Sequence, residues 1–132
     1  MDREILFRGK RESDEWIEGV AFPHDNHGAV TIFRQNQSDG ALEGFEVIPE
    51  TVGQYTGLLD KNGKKIFEGD IVKDEQSGYE YVIKWFSEYA CFALANKNGH
   101  MEYDVDEFEM LVNDLIVVDN IHDNSDFAEV SE

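Results

Sequence analysis

TVGQYTGLLDKNGKKIFEGDIVK, residues 51–73, carries the densest ordered local signals in the chain. Asp60-Lys61-Asn62-Gly63 is a strong turn signal, because aspartate bonds its own backbone two residues on and Asn-Gly tolerates positive φ. Ile66-Phe67 resumes a strand, Glu68-Gly69-Asp70 makes a second tight bend, and Ile71-Val72 runs on. Val52, Tyr55, Leu58 and Leu59 supply apolar contacts. Two close-spaced turns among short strands suit a small, strongly curved sheet or barrel rather than a flat sheet. Asp60 and Asp70 belong naturally at the bends. The run Gln54-Tyr55-Thr56 is not demanded by turn chemistry and is read as a candidate contact surface.

Upstream, REILFRGKR at residues 3–11 suits a short strand, and Trp16 to Val20 reads as its hairpin partner across the polar link 12–15. The cations of this segment suit a solvated edge that discourages sheet-to-sheet aggregation. AVTIFR at 29–34 is rich in β-branched and aromatic residues and reads as a strand. QNQSDGALEG at 35–44 reads as a long mobile loop and lacks a phosphate-loop lysine. Residues 45–48 form another strand, which Pro49 is expected to end, with a short helix allowed at 49–53.

Downstream, YEYVIKWF at 79–86 alternates Tyr79, Tyr81, Ile83 and Trp85 against Glu80 and Lys84. ACFALA at 90–95 is the near-continuous apolar run of a strand covered on both faces. Cys91 within it has no adjacent cation and reads as a buried, inert thiol. Asn98-Gly99 repeats the turn chemistry, and HMEYDVD at 100–106 alternates as a further strand. Residues 107–111 fit either a helix start or a strand, and 115–118 a buried strand. A last helical turn is allowed in 120–132, a loose or partner-docking tail in which Phe127 and Val130, three apart, form one apolar face.

The expected fold is therefore mainly β: antiparallel hairpins around a small curved sheet or barrel-like core, with short helical segments at most. A length of 132 residues fits one domain, 1–132. With 41% hydrophobic and 12% aromatic residues the composition is not that of a disordered chain. One cysteine excludes an internal disulfide, and no apolar run is long enough to span a bilayer or act as a signal peptide. A cytoplasmic location and no membrane partner are the default expectation. Eleven Lys and Arg against 29 Asp and Glu give a net charge of −18, which argues against direct nucleic acid or anionic membrane binding. No Lys or Arg follows Lys97, so the C-terminal third is a concentrated anionic block.

Several of these stretches together resemble the YopX family of phage and prophage proteins. The resemblance rests on FRGK at 7–10 with Trp16 and Gly19, PETVGQYTGL at 49–58, DKNG at 60–63 and IFEGDIV at 66–72. Lys84-Trp85 and, more weakly, Val118-Asp119-Asn120-Ile121 extend it over nearly the whole chain. Asn124-Ser125 stands where family members often carry an Asn-Pro pair. The resemblance implies a β-rich fold, a phage or prophage origin and self-assembly into a homo-oligomer, but no established activity.

No nucleophile-elbow, phosphate-loop, dinucleotide or zinc-protease pattern is present, so no catalytic residue, metal ligand or cofactor is assigned. His24 and His27 lack the further ligands that a zinc site needs. Glu102, Asp104 and Asp106 would share one strand face, with Glu107 and Glu109 beside them, but no EF-hand glycine accompanies them and a solvated face explains them. Three functions follow for testing. The first is a non-enzymatic phage accessory protein acting through protein–protein contacts and self-association. The second is an acidic mimic of nucleic acid that occupies a host protein with a basic face. The third is a metal-dependent hydrolase built on the carboxylates between residues 102 and 109.

Overall fold

The computed structural model describes residues 5–23 and 28–124. The chain is mainly β and divides into two compact units, with the boundary between Tyr55 and Thr56. All its strand pairings are antiparallel among the described residues.

The first unit holds β1 (Phe7–Lys10), β2 (Trp16–Pro23), β3 (Val30–Gln35) and the first part of β4 (Leu42–Leu59). β1 pairs with β2, β2 with β3, and β3 with β4, and β4 then returns to pair with β1. The four strands thereby form a partly closed ring, a barrel-like core, while the close-spaced turns at 60–70 lie in the second unit. Its interior holds Ile17, Ile32 and Val47, with Ala21, Val30, Phe45 and Val52 packed against them. The ring is so narrow that Gly19 faces inward: a Cβ there would lie 2.2 Å from the Phe33 carbonyl oxygen.

Two expectations are corrected in this unit. Pro49 does not end the strand, and no helix forms at 49–53. β4 runs through, and Lys10 pairs with Ile48 while Arg8 pairs with Gly53, so the intervening residues form a wide bulge opposite Gly9. The bulge serves the proline, whose missing N–H would break a regular ladder. Thr51 organises it, its hydroxyl accepting from Lys10 N at 2.8 Å and donating to Ile48 O at 2.6 Å. Nor is 35–44 a long loop. β3 reaches Gln35 and β4 starts at Leu42, and the turn between is tied by the Asn36 and Asp39 side chains, which accept from Ser38 N and Ala41 N.

The second unit contains the end of β4, with β5 (Lys65–Phe67) paired to it. It also contains a five-stranded sheet in the order β10-β6-β7-β8-β9. Here β6 is Asp70–Asp74, β7 Glu80–Phe86, β8 Cys91–Ala95, β9 Met101–Tyr103 and β10 Leu115–Asn120. Its core joins Ile66, Val72, Tyr81, Ile83, Phe92, Leu94, Phe108 and Leu115. Val82 points the other way with Ile71 and Ile121, so β7 is covered on both faces, as are Phe92 to Ala95 of β8. Tyr79 precedes the strand and is exposed, and Trp85 is partly exposed with its ring edge-to-face on Phe92. Cys91 is half-buried rather than fully buried.

The segment 100–106 is corrected too. The strand is only Met101–Tyr103, and Asp104 starts helix α1 (Val105–Leu111). Asp104 accepts from Glu107 N at 2.9 Å and Glu107 accepts from Asp104 N at 3.2 Å, a reciprocal capping box for which D-x-x-E has the right spacing. The helix buries Phe108.

In this core the Tyr81 hydroxyl is pushed up to about 12 from 10.0, chiefly by burial and then by its hydrogen bond with Tyr103. The folded state thus holds this proton more tightly than the unfolded chain does. The contribution to stability is full below pH 10 and is lost as pH rises towards about 12. Denaturant midpoints measured across that range are expected to fall more steeply for the native sequence than for Tyr81→Phe. Parallel slopes would remove Tyr81 as the cause.

Candidate interaction surfaces

Asp60 is a buried carboxylate that accepts three backbone N–H groups. It is 6% exposed, and Oδ1 accepts from Asn62 N at 2.8 Å and Lys64 N at 2.9 Å. Oδ2 accepts from Val117 N of β10 at 2.9 Å, and Lys61 N donates to Leu115 O at 2.8 Å. The DKNG turn therefore ties up backbone groups on one edge of β10, which faces no further strand of its sheet. Asp70 acts in the second bend, where Oδ2 accepts from Phe67 N at 2.8 Å. Both aspartates of the opening stretch are turn-forming groups.

Gln54, Tyr55 and Thr56 lie towards the end of β4, on either side of the boundary between the two units. Tyr55 is 8% exposed, so it is a core residue and does not present a contact surface in the single chain. Gln54 is half-buried beside Phe7 of β1. The Thr56 hydroxyl donates to Ile66 O at 2.9 Å and accepts from Leu58 N, holding the β4–β5 pair. Phe127 and Val130, as well as His24 and His27, lie outside the described residues.

The carboxylates at 102–109 do not share a strand face, because the strand ends before Asp104. Glu102 accepts from the Asn96 side chain, and Asp104 and Glu107 are spent on the helix cap. Among the described residues no group of three or more His, Cys, Asp or Glu is placed to hold a metal ion.

The surface that sequence reading missed lies on the outside of the first unit. Register places Val20 opposite Phe33 and Phe33 opposite Gly44, with Phe22 opposite Thr31 and Gln35 opposite Leu42. These residues share one face of the pleat, the face turned away from Ile17, Ile32 and Val47. Val20 is 50%, Phe22 52% and Leu42 71% exposed. Phe22 meets Phe33 edge-to-face at 5.6 Å. The Phe33 ring lies over Gly44, where a Cβ would come within 2.6 Å of it. The available signal was the unbroken apolar run Val20-Ala21-Phe22, which no single buried face explains.

On the inner side of the same strands, the Arg11 and Arg34 guanidinium groups each stand 4.8 Å from the centre of the Phe45 ring. Each is also paired to a carboxylate, Arg11 with Glu15 at 2.8 Å and Arg34 with Glu43 at 3.2 Å. Arg8 lies 4.8 Å from the Trp16 ring centre, and Lys10 meets Asp14 at 3.4 Å. The cations noticed in residues 3–11 are thus engaged within the unit wherever they are described.

These features define a mainly β protein in which a small four-stranded ring precedes a five-stranded sheet with one short helix. A model of the YopX family, described as YopX protein, matches residues 6–129, and the chain belongs to that family. A similar solved structure is the crystal structure of protein EF1440 from Enterococcus faecalis. It is 23% identical, with a TM-score of 0.58, over 94% of this chain and 97% of that one, and the likeness is one of fold. Comparison with curated proteins gave no match. No helix among the described residues is long and apolar enough to cross a membrane.

Proposed function

We propose that this protein is a non-enzymatic phage or prophage accessory protein that works through protein–protein contacts and self-associates. The observation that carries the reading is the apolar face on which Val20, Phe22 and Leu42 are exposed around a half-buried Phe33. Contiguous apolar surface of this kind marks interaction sites, and aromatic residues anchor them. A second copy fits it for an electrostatic reason. Two chains of net charge −18 repel, so they meet most readily through a face whose centre carries no charge.

Native mass measurement at micromolar concentration is expected to show a dimer or larger species. The double substitution Val20→Ser, Phe22→Ser, at exposed positions, is expected to shift it to monomer while the circular dichroism spectrum stays unchanged. A strictly monomeric native chain removes the self-association reading.

A further inference from the structure

We infer that the first unit carries a receptor for a cationic side chain, an arginine or lysine projecting from an extended segment of a partner protein. The receptor is a pocket of about 290 Å³ lined by Glu12, Ala29, Glu46, Val47, Ile48 and Pro49. It goes beyond the reading above, naming a different occupant and a pocket that adjoins the apolar face.

Two carboxylates and an apolar wall make up this lining. Glu12 and Glu46 are both exposed and have no hydrogen-bond or ion-pair partner among the described residues. The cations of the same unit have carboxylate partners of their own: Arg11 pairs with Glu15, Arg34 with Glu43 and Lys10 with Asp14. Ile48 and Pro49 form the wall, where the bulge after Ile48 turns β4 away from the regular ladder, while the Val47 side chain lies in the core behind them. An aliphatic stem against that wall with its charged head between two carboxylates satisfies both halves of the lining. An acidic ligand is excluded by charge, and a purely apolar one would leave the carboxylates facing a dry contact.

The site also continues onto open surface. Glu46 stands opposite Thr31, and Thr31 opposite Phe22, so one row of the outer face leads from an exposed aromatic ring to the pocket carboxylate. An extended segment alternating apolar and basic residues would follow that row. A nucleic-acid-binding protein displays such basic segments, so this site gives the charge of the chain a defined point of attachment.

The test uses the full chain and an alternating arginine–valine octapeptide, with the citrulline–valine peptide as the uncharged counterpart. Binding is followed by amide chemical shifts at about 150 mM salt, where diffuse attraction is screened. The arginine peptide is expected to move Ala29, Thr31 and Val47, and Glu12→Gln with Glu46→Gln to weaken it by about tenfold or more. Asp106→Asn with Glu109→Gln removes the same charge from the acidic helix and is expected to change affinity less than about twofold. Equal weakening by the two pairs, equal binding of the citrulline peptide, or no binding overturns the site. Repeating the titration with the Val20→Ser, Phe22→Ser chain separates the two ideas. Retained binding by a monomer supports the pocket whether or not self-association holds, and binding lost with the apolar pair but kept in the Glu12/Glu46 pair overturns it.

Discussion

Replacing Asp60 with alanine is expected to be among the most damaging single changes in the second unit. Its carboxylate accepts three backbone N–H groups, two in its own turn and one from β10, 57 residues away in sequence. Charge-assisted bonds of this kind contribute more than neutral ones, and Val117 N would be left half-buried without its acceptor. Because the two turn donors belong to exposed residues and can turn to water, the expected cost is about 3–5 kcal/mol rather than the full sum. Asp60→Asn keeps one acceptor oxygen and is expected to cost about 1–3 kcal/mol, since the amide nitrogen cannot accept the third bond. Urea unfolding measures both, and amide exchange gives the location. Val117 and Lys64 should lose protection first. A loss below about 1 kcal/mol for the alanine variant would mean that water replaces the carboxylate at little cost.

Gly19→Ala is expected to be as severe in the first unit, for a steric reason. The added methyl would lie 2.2 Å from a backbone oxygen on β3 and 3.0 Å from Ile32 Cγ2, inside a ring with no slack. A flexible side chain could swing aside, but a ladder carbonyl cannot move without unpairing β2 from β3. The expected loss is about 3 kcal/mol or more, the range of overpacked cores whose backbone must shift. Gly40→Ala is the informative contrast. Gly40 sits at φ +74 with nothing within 4 Å of the position, so alanine there meets only left-handed strain, about 1–2 kcal/mol. Equal losses at the two positions in thermal or urea unfolding would show that the ring yields.

These two residues also mark how far the sequence could be read. Asp60 was legible as a turn former because the Asx bond is local. Its bond to Val117 was not, because nothing in the sequence records which distant strand lies beside a turn. Gly19 stood out through a family resemblance, yet its reason depends on the ring closing through β4 to β1, a non-local pairing. Pro49 was misread for a related cause. Proline does stop a regular ladder, but a bulge supplies the missing slack, and Thr51 completes it with two bonds that no propensity scale encodes. The helix at Val105–Leu111 is ambiguous in the sequence although D-x-x-E has cap spacing, because Met101, Tyr103 and Val105 keep a two-residue alternation past the strand end. Of the candidate contact residues, Tyr55 lacks a turn role because it is core. The exposed face of Val20, Phe22 and Leu42 is hidden in the sequence because the strand reads only to Val20 and Leu42 falls in a stretch that reads as loop.

β4 has a consequence for how such chains tolerate changes of length. One strand of 18 residues serves β3, then β1, then β5. Adding a residue to it exchanges the inward and outward sets for everything beyond the insertion. A chain built this way cannot accept an insertion at most points of 42–59 without turning one core inside out. The exception is the irregular stretch between Ile48 and Gly53, where the register is already broken and an extra residue can be absorbed without reversing either flank. Length variation within this strand is therefore expected to gather beside Pro49 and Thr51, so that the bulge serves as the expansion joint of the fold.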